Sequence, residues 1–484
     1  MQQIPREQVE RRLQVENPWW SRPDSLPAAY AALRPRAYFD LLLPLVRKTL
    51  PRRAVLLMGP RRVGKTVLLH QIVRALINAG VNARNIAYVS VDHPLYHGCG
   101  LEDLVERVNH ASGIGDDVSQ RYVIFDEIQY LREWEVHLKT LVDAHANIKF
   151  IASGSAAAAL RLKSNESGAG RFTDFLLPPL TFHEYLDLLG SSELAGTLEG
   201  PAGHLAEGYH AAPNVSALND AFLHYLNFGG YPEVIFSPDI QADPGRFIKA
   251  DIIDKVLLRD LPGLYGIQDI QELNYLFTVF ALNTSQEVSL EEISKNTGVA
   301  KNTIKRYIEY LEAAFLLKTV HRVDRNAKRF QRANFFKVYL TNTSLRAALF
   351  SPVSADDPAV GALAETGILS QWFHHSSLQY YARWKEGKKQ GEVDIVGLND
   401  LQKPDWAVEV KWSDRFVDAP HELRSLIQFC EANELRRATV TTRSRVAVRD
   451  VGGLRLTFVP ASTYCYTVGY NLMQGKHAHA AALG

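Results

Sequence analysis

The plainest chemistry in this chain sits in one run, Gly59, Pro60, Arg61, Arg62, Val63, Gly64, Lys65 and Thr66, with Val67 opening the apolar stretch that follows. This is the pattern GxxxxGK[ST]. The glycines let backbone amides curl around a phosphate without Cβ clashes. Lys65 is placed to reach the β- and γ-phosphates of a nucleotide and Thr66 to ligate Mg²⁺, so ATP and Mg²⁺ are the expected cofactors. The context is a strand, AVLLM, before the loop and a helix, VLLHQIVRALINAG, after it. The helix start adds its positive end to the phosphate site.

Hydrolysis needs a carboxylate behind the metal and a group that activates water. RYVIFDEIQYL supplies both: an apolar run ends in Asp126 and Glu127. A carboxylate pair at the C-terminal edge of a strand stands where α/β sites open. Asp126 is the expected metal residue and Glu127 the base. IKFIASGSA ends in Ser153, Gly154 and Ser155. One hydroxyl there reaches the γ-phosphate or the water, unless the stretch is an ordinary turn. Arg171, after Gly170, is read as an arginine finger facing its own or a neighbouring nucleotide, with a solvated loop cation as the alternative.

A second constellation lies far downstream, in GEVDIVGL and WAVEVKW. Glu409 and Lys411 are two apart, so on a strand they share a face, and Asp394 stands on the preceding strand. Asp394 and Glu409 can share one Mg²⁺ while Lys411 orients a water. The bland alternative is a surface ion pair. This D…ExK arrangement is similar to the PD-(D/E)XK nucleases, a fold in which an upstream helix often carries a further acid, here Glu365. Trp384, Lys385, Lys388 and Lys389 either hold a nucleic-acid backbone or form a solvated turn.

Between the two sites, VSLEEISKNTGVAKNTIKRYIEYLEAAFLL reads helix, turn, helix. Ile304, Tyr307, Ile308 and Leu311 recur at helical spacing, and Gly298 marks the turn. That leaves Lys301, Asn302, Thr303, Lys305 and Arg306 where groove-reading residues sit. A basic stretch follows from Lys318 to Lys337, with Arg322, Arg325, Lys328, Arg329 and Arg332. A wing carrying these charges contacts DNA phosphates, or the module is a packing unit with solvated cations.

The elements that position these residues follow from pattern. Strands at 54–58, 86–92, 121–127 and 148–153 alternate with helices, which predicts a parallel sheet covered on both faces. The segment 190–216 is Gly-, Ala-, Ser- and Pro-rich and reads as an insertion. Lys plus Arg total 54 against 53 Asp plus Glu, which excludes a uniformly basic nucleic-acid coat. Three cysteines without a CxxC pair exclude a disulfide scaffold and disfavour zinc. No apolar run approaches the ~18 residues of a spanning helix and no apolar leader opens the chain, so a cytoplasmic protein without membrane contact is expected.

GPRRVGKT, VIFDEIQ, FIASGSA, GRF and PLTFHEYL occur here in the order found in prokaryotic AAA-type ATPases (AAA_14) that carry a C-terminal domain called DUF4143, and the chain resembles that family from about residue 37 to 460. FLHYLNFGGYPEV, LLRDL and KVYL also look like it. Asn342, in TNTSL, departs from the usual Asp, and the insertion is a second departure. The resemblance implies ATP binding with a DNA-related or regulatory role.

The expected fold class is therefore α/β: a P-loop parallel-sheet ATPase domain, a helical and winged-helix middle, and a nuclease-like α/β C-terminal domain. The boundaries are 1–36, an N-terminal helical extension; 37–189, the ATPase; 190–285, a helical lid or connector; 286–340, the winged-helix-like module; 341–465, the nuclease-like domain; and 466–484, a tail. The expected function is a Mg²⁺-dependent, homo-oligomeric ATPase that binds DNA and couples hydrolysis to DNA remodelling or cleavage. Two alternatives stand beside it. One is a nucleotide-dependent switch holding a protein partner through an inactive nuclease-like domain. The other is an ATP-gated defence nuclease.

Overall fold

The computed structural model of the chain describes residues 5–96, 98–114, 119–155, 170–198, 206, 208–327, 335–373, 379–386 and 389–475. Ala156–Ala159, Lys328, Arg329, Arg332, Lys388, part of 190–216 and the last residues of the tail lie outside them. Two compact units result, Met1–Leu177 and Pro178–Gly484.

The first unit holds five parallel strands: β1 (Ala54–Met58), β2 (Ile86–Ser90), β3 (Arg121–Asp126), β4 (Ile148–Gly154) and β5 (Phe172–Leu176). Their order is β2-β3-β4-β1-β5. Every residue of β1, β3 and β4 is buried, which is why they read as unbroken apolar runs rather than alternating ones. All strands point the same way, so the loops leaving β1, β3 and β4 gather at one sheet edge. Two strands stop earlier than the pattern suggests, β2 at Ser90 and β3 at Asp126. β5 carries only half-buried and exposed residues and gave no apolar signal.

β2 is an edge strand, and the N-terminal segment satisfies its open side. Asn17 Nδ2 donates to Tyr88 O at 2.8 Å and Asn17 Oδ1 accepts from Tyr88 N at 2.6 Å. The indoles of Trp19 and Trp20 both donate to Ile86 O at 2.8 Å. Exposed strand edges invite pairing with other chains, and these side chains block it. The described residues of the N-terminal segment, from Pro5 to Arg36, therefore belong to this unit.

The second unit is built on one nine-stranded mixed sheet, ordered β13-β14-β12-β11-β10-β9-β7-β8-β6. β6 (Glu287–Ser289) leads into the helices Leu290–Thr297 and Lys301–Ala313, joined at Gly298 with φ 77°. Ile304, Tyr307, Ile308 and Leu311 are buried at the expected spacing. β7 (Leu317–Val323) and β8 (Phe335–Leu340) follow, with β8 antiparallel to both β6 and β7. The order along this stretch is strand, helix, turn, helix and then an antiparallel strand pair.

β7 also pairs in parallel with β9 (Gln379–Glu386), so the sheet runs on unbroken through β10 (Lys389–Leu398) and β11 (Pro404–Glu409). The helix Arg424–Ala432 crosses over to β12 (Arg437–Thr442), parallel to β11 and to β14 (Leu454–Pro460); β13 (Ala447–Val451) closes the edge. No sheet boundary falls at 340/341, where the sequence suggests a division. Residues 466–473 also correct the expectation of a tail: they complete the helix Ala461–Met473, with Tyr466, Val468 and Leu472 buried.

The glycine pair in FGGYPEV has a packing reason. A Cβ on Gly230 meets Asn342 Nδ2 at 1.5 Å, while Gly230 N donates to Ser344 Oγ at 3.1 Å. Asn342, the departure from the family pattern, accepts from Ser344 N at 2.8 Å and so still organises this turn.

Candidate functional site

Gly64, in left-handed conformation at φ 94°, turns the loop after β1 into the helix Lys65–Asn78. Gly59 is required at its position because a Cβ there stands 2.2 Å from the carbonyl oxygen of Leu177. Pro60 is buried, as is Val63, whose carbonyl accepts from Arg36 Nη1 at 3.0 Å; Val67 is half-buried on the helix. Arg61 reaches Tyr130 OH at 3.4 Å, and Arg62 is exposed in left-handed backbone at φ 64°. Lys65 is buried, with Nζ donating to the carbonyls of Gly59 at 3.0 Å and Pro60 at 2.8 Å. Its charge is thus folded over the loop it is expected to serve.

Asp126 collects hydroxyls. Thr66 Oγ1 and Tyr88 OH each donate to its Oδ2 at 2.7 Å, and Ser153 Oγ donates to Oδ1. Ser153 therefore acts on the carboxylate, and its Oγ also accepts from Glu127 N at 3.1 Å. Glu127 leaves the strand at φ 57°, which swings its side chain away from that of Asp126. Its carboxylate accepts from Gln129 Nε2 and from Ser155 Oγ at 3.2 Å, and Gln129 Nε2 also reaches Ser155 Oγ at 3.1 Å. The hydroxyl of Thr66 beside a buried carboxylate is a hard-oxygen donor set that fits Mg²⁺.

Tyr88 and Gln129 are absent from the sequence-based site. In IAYVSVD, Tyr88 is indistinguishable from a core residue; only the register Ser90↔Asp126 sets its ring two residues short of Asp126, within reach of a phenol. Behind it His70 lies tilted against Tyr88, ring centroids 4.6 Å apart, and stacks on Tyr30 at 4.5 Å. Burial pushes the His70 imidazole down to about 4 and drives the Tyr88 hydroxyl up from its ordinary value.

Arg171 is not brought to this edge. It precedes β5 at the sheet's N-terminal side, where its carbonyl accepts from Ala54 N at 2.9 Å and its guanidinium pairs with Asp143. Five residues of β1 separate it from the loop, about 16 Å of strand. An arginine finger acting on its own nucleotide is corrected by this placement.

In the second unit the predicted carboxylates do converge. The pairing Ile395↔Val408 continues to Asp394 opposite Glu409, and a register shift against β9 between Val393 and Val396 re-aims this stretch of β10. Lys411 Nζ lies 2.8 Å from Glu409 Oε1 and 3.5 Å from Asp394 Oδ2. Asp394 Oδ2 also accepts from Val410 N at 2.8 Å. Glu365 joins them from the helix Val360–Ser370, accepting from Tyr339 OH at 2.6 Å.

Lys337, expected on the basic surface, is instead buried beneath this cluster. Its Nζ stands 2.9 Å from Glu365, 2.8 Å from Glu392 and 3.6 Å from Asp394. Burial pushes Glu365 and Glu409 above the usual carboxylate range, in both with the help of the Asp394 charge. Burial opposes ionisation of Asp394 too, but Lys411 and Lys337 outweigh it and hold that carboxyl low. Among the described residues no group of three or more His, Cys, Asp or Glu is arranged to hold a metal ion. In this structure Asp394 and Glu409 are both paired with Lys411, and Asp394 also faces Lys337.

The nucleic-acid candidates divide. Asn302, Lys305 and Arg306 are exposed on the helix Lys301–Ala313, Thr303 is half-buried, and Lys301 pairs with Glu291 at 2.8 Å. Lys318 is exposed, whereas Arg322 turns inward to Arg383 O at 2.9 Å and Glu287 at 3.6 Å. Trp384, expected to hold a nucleic-acid backbone or to lie in a solvated turn, is instead buried against Phe429, and Gly391 is a glycine because a Cβ there meets its ring at 2.2 Å.

Comparison with known proteins matches residues 51–186 to the AAA domain family AAA_14. Residues 219–357 match DUF8612, a domain of unknown function, in place of the expected DUF4143. An uncharacterized protein of Methanocaldococcus jannaschii is 24% identical over 382 residues, covering 76% of this chain and 78% of its own length. An uncharacterized protein of Haemophilus influenzae is 24% identical over 298 residues, covering 60% of this chain and 67% of its own. Among solved structures, the Walker-type ATPase PABY2304 of Pyrococcus abyssi aligns with TM-score 0.35 and 15% identity, over 72% of this chain and 96% of that one. The ORC1 protein of Aeropyrum pernix, solved in complex with DNA, aligns with TM-score 0.30 and 17% identity, over 71% and 97%. Among the described residues no helix is long and apolar enough to cross a membrane. The family match over 51–186, on a parallel sheet with its loop at Gly59–Thr66, supports an AAA-type ATPase domain in the first unit.

Proposed function

We propose that the chain is a Mg²⁺-dependent, homo-oligomeric ATPase that binds DNA through its winged-helix segment. The observation that carries the ATPase reading is the hydrogen bond from Thr66 to Asp126 across the edge of the sheet. Bound Mg²⁺ supplies neutralisation of phosphate charge, with Thr66 and Asp126 as the residues that hold it. Lys65 exchanges its two loop carbonyls for phosphate oxygens. Glu127, oriented by Gln129 and Ser155, accepts the proton of the attacking water. Arg171, held away from its own loop, serves the nucleotide of a neighbouring subunit.

Exposed Asn302, Lys305 and Arg306, with Lys318, support the DNA reading, and the charge-filled carboxylate cluster favours a C-terminal layer that binds rather than cleaves. In domain terms 37–189 is the ATPase, 190–285 the connector, 286–340 the winged helix and 341–465 the nuclease-like layer. ATP turnover measured with and without duplex DNA tests the whole. Stimulation by DNA is expected, and Glu127→Gln is expected to bind ATP without turning it over. Wild-type rates in Glu127→Gln remove the assignment of the base.

A further inference from the structure

We propose that Lys337 is the resident cation of the carboxylate cluster formed by Glu365, Glu392 and Asp394, a built-in counter-ion that keeps divalent metal out of the nuclease-like layer. This goes beyond the ATPase reading and does not depend on it.

Position is the first argument. Lys337 Nζ lies within 3.6 Å of three carboxylates that come from two elements, β10 and the helix Val360–Ser370. Burial is the second. Its side chain is 2% exposed, against 29% for Lys411, so Lys411 has open solvent to swing into and Lys337 has none. Lys337 also lies over the Tyr381 ring at 5.4 Å, and Tyr339 OH shares with it the same oxygen of Glu365. The ammonium is thus walled in by partners that each depend on its charge.

The network continues on both sides. Arg383 bridges Glu392 at 3.6 Å and Glu287 at 3.0 Å, while Lys411 covers Glu409 and the far oxygen of Asp394. Three cations therefore already face the four carboxylates Glu365, Glu392, Asp394 and Glu409. A divalent ion entering among them meets repulsion from ammonium groups in a low-dielectric setting, where such repulsion is strong. A buried lysine without these acids is itself untenable, so the cluster and Lys337 hold each other in place. Lys337 arrives on β8, from the winged-helix segment, and so ties that segment's hairpin to the carboxylates of the C-terminal layer.

The test is Mn²⁺ binding to the full chain without nucleotide, read by electron paramagnetic resonance in wild type, Asp394→Asn, Lys337→Met and Lys337→Met/Asp394→Asn. Wild type and Asp394→Asn are expected to bind the same amount, because the cluster takes none. Lys337→Met is expected to gain a bound Mn²⁺ that the added Asp394→Asn removes. If Lys337→Met fails to fold, Lys337→Met/Glu365→Gln, which relieves the excess negative charge, replaces it with the same expectation. Wild-type Mn²⁺ binding that Asp394→Asn abolishes overturns the proposal, as does a folded lysine variant that gains nothing. Should neither lysine variant fold, the wild-type comparison decides alone. Mn²⁺-dependent cleavage of duplex DNA by wild type, lost in Asp394→Asn, overturns it as well.

Discussion

Thr66 and Asp126 are sixty residues apart in the chain and 2.7 Å apart in the fold, joined through a hydroxyl that donates to Oδ2. The contact exists because β1 and β3 are parallel with only β4 between them, so the loop after one strand meets the end of the other. Tyr88 donates to the same oxygen from the opposite side. Asp126 is thus oriented by both neighbours before any ligand arrives.

Removing one of those donors should weaken metal use more than nucleotide binding. A hydrogen bond to a charged group contributes about 1.5–3 kcal/mol. Tyr88→Phe is therefore expected to raise the Mg²⁺ concentration at half-maximal turnover by roughly tenfold, with metal-free nucleotide affinity unchanged. Titrating Mg²⁺ in the ATPase assay and measuring nucleotide affinity in chelator separates the two effects. An unaltered Mg²⁺ midpoint sinks the role given to Tyr88.

Gly59→Ala should damage the loop itself. The added Cβ falls 2.2 Å from a backbone carbonyl that has no flexible end to yield. Overpacking of this kind costs about 1–3 kcal/mol. A lowered melting temperature together with lost ATP binding is expected, whereas Gly263→Ala, with open space around its Cβ, should leave ATP binding intact.

The helix–turn–helix segment at 290–313 makes its own prediction. Lys305 and Arg306 are exposed near the start of its second helix. Each phosphate contact contributes about 0.9 to the slope of log affinity against log salt. Lys305→Ala/Arg306→Ala should therefore weaken duplex binding and flatten that slope by about 2. Fluorescence anisotropy across a salt series measures it, and an unchanged slope places the DNA contacts elsewhere.

Acid should loosen both units. Burial lowers His70 to about 4 in the first unit and His210 to about 4 in the second, from an ordinary 6.5. Between those values the unfolded chain binds the proton and the folded chain does not. Stability is therefore intact above about 6.5 and is lost as pH falls towards 4, by up to about 1.4 kcal/mol per unit for each histidine. Urea unfolding at pH 7.5, 6.5, 5.5 and 4.5 should show the decline, and His70→Phe should shallow it for the first unit. A flat profile in wild type contradicts the burial argument.

The amino-acid order alone determined the parts whose signal is local. The loop Gly59–Thr66 is contiguous, and the strands that position it are apolar because both faces are covered, so β1, β3 and β4 could be drawn from pattern. Glu409 and Lys411 were legible as a pair two residues apart with Asp394 on the preceding strand, although β11 ends at Glu409 and Lys411 follows it outside the strand. What depends on long-range register was hidden. Tyr88 looked like core until β2 paired with β3, and β5, with no fully buried residue, carried no apolar run at all. The direction of a charge was equally invisible. Lys337 and Arg322 read as surface cations in a basic stretch, yet sheet pairing turned both inward onto acids from distant segments. Composition records that a lysine is present; only packing decides whether water or a carboxylate solvates it, because that choice is set by which strands lie side by side.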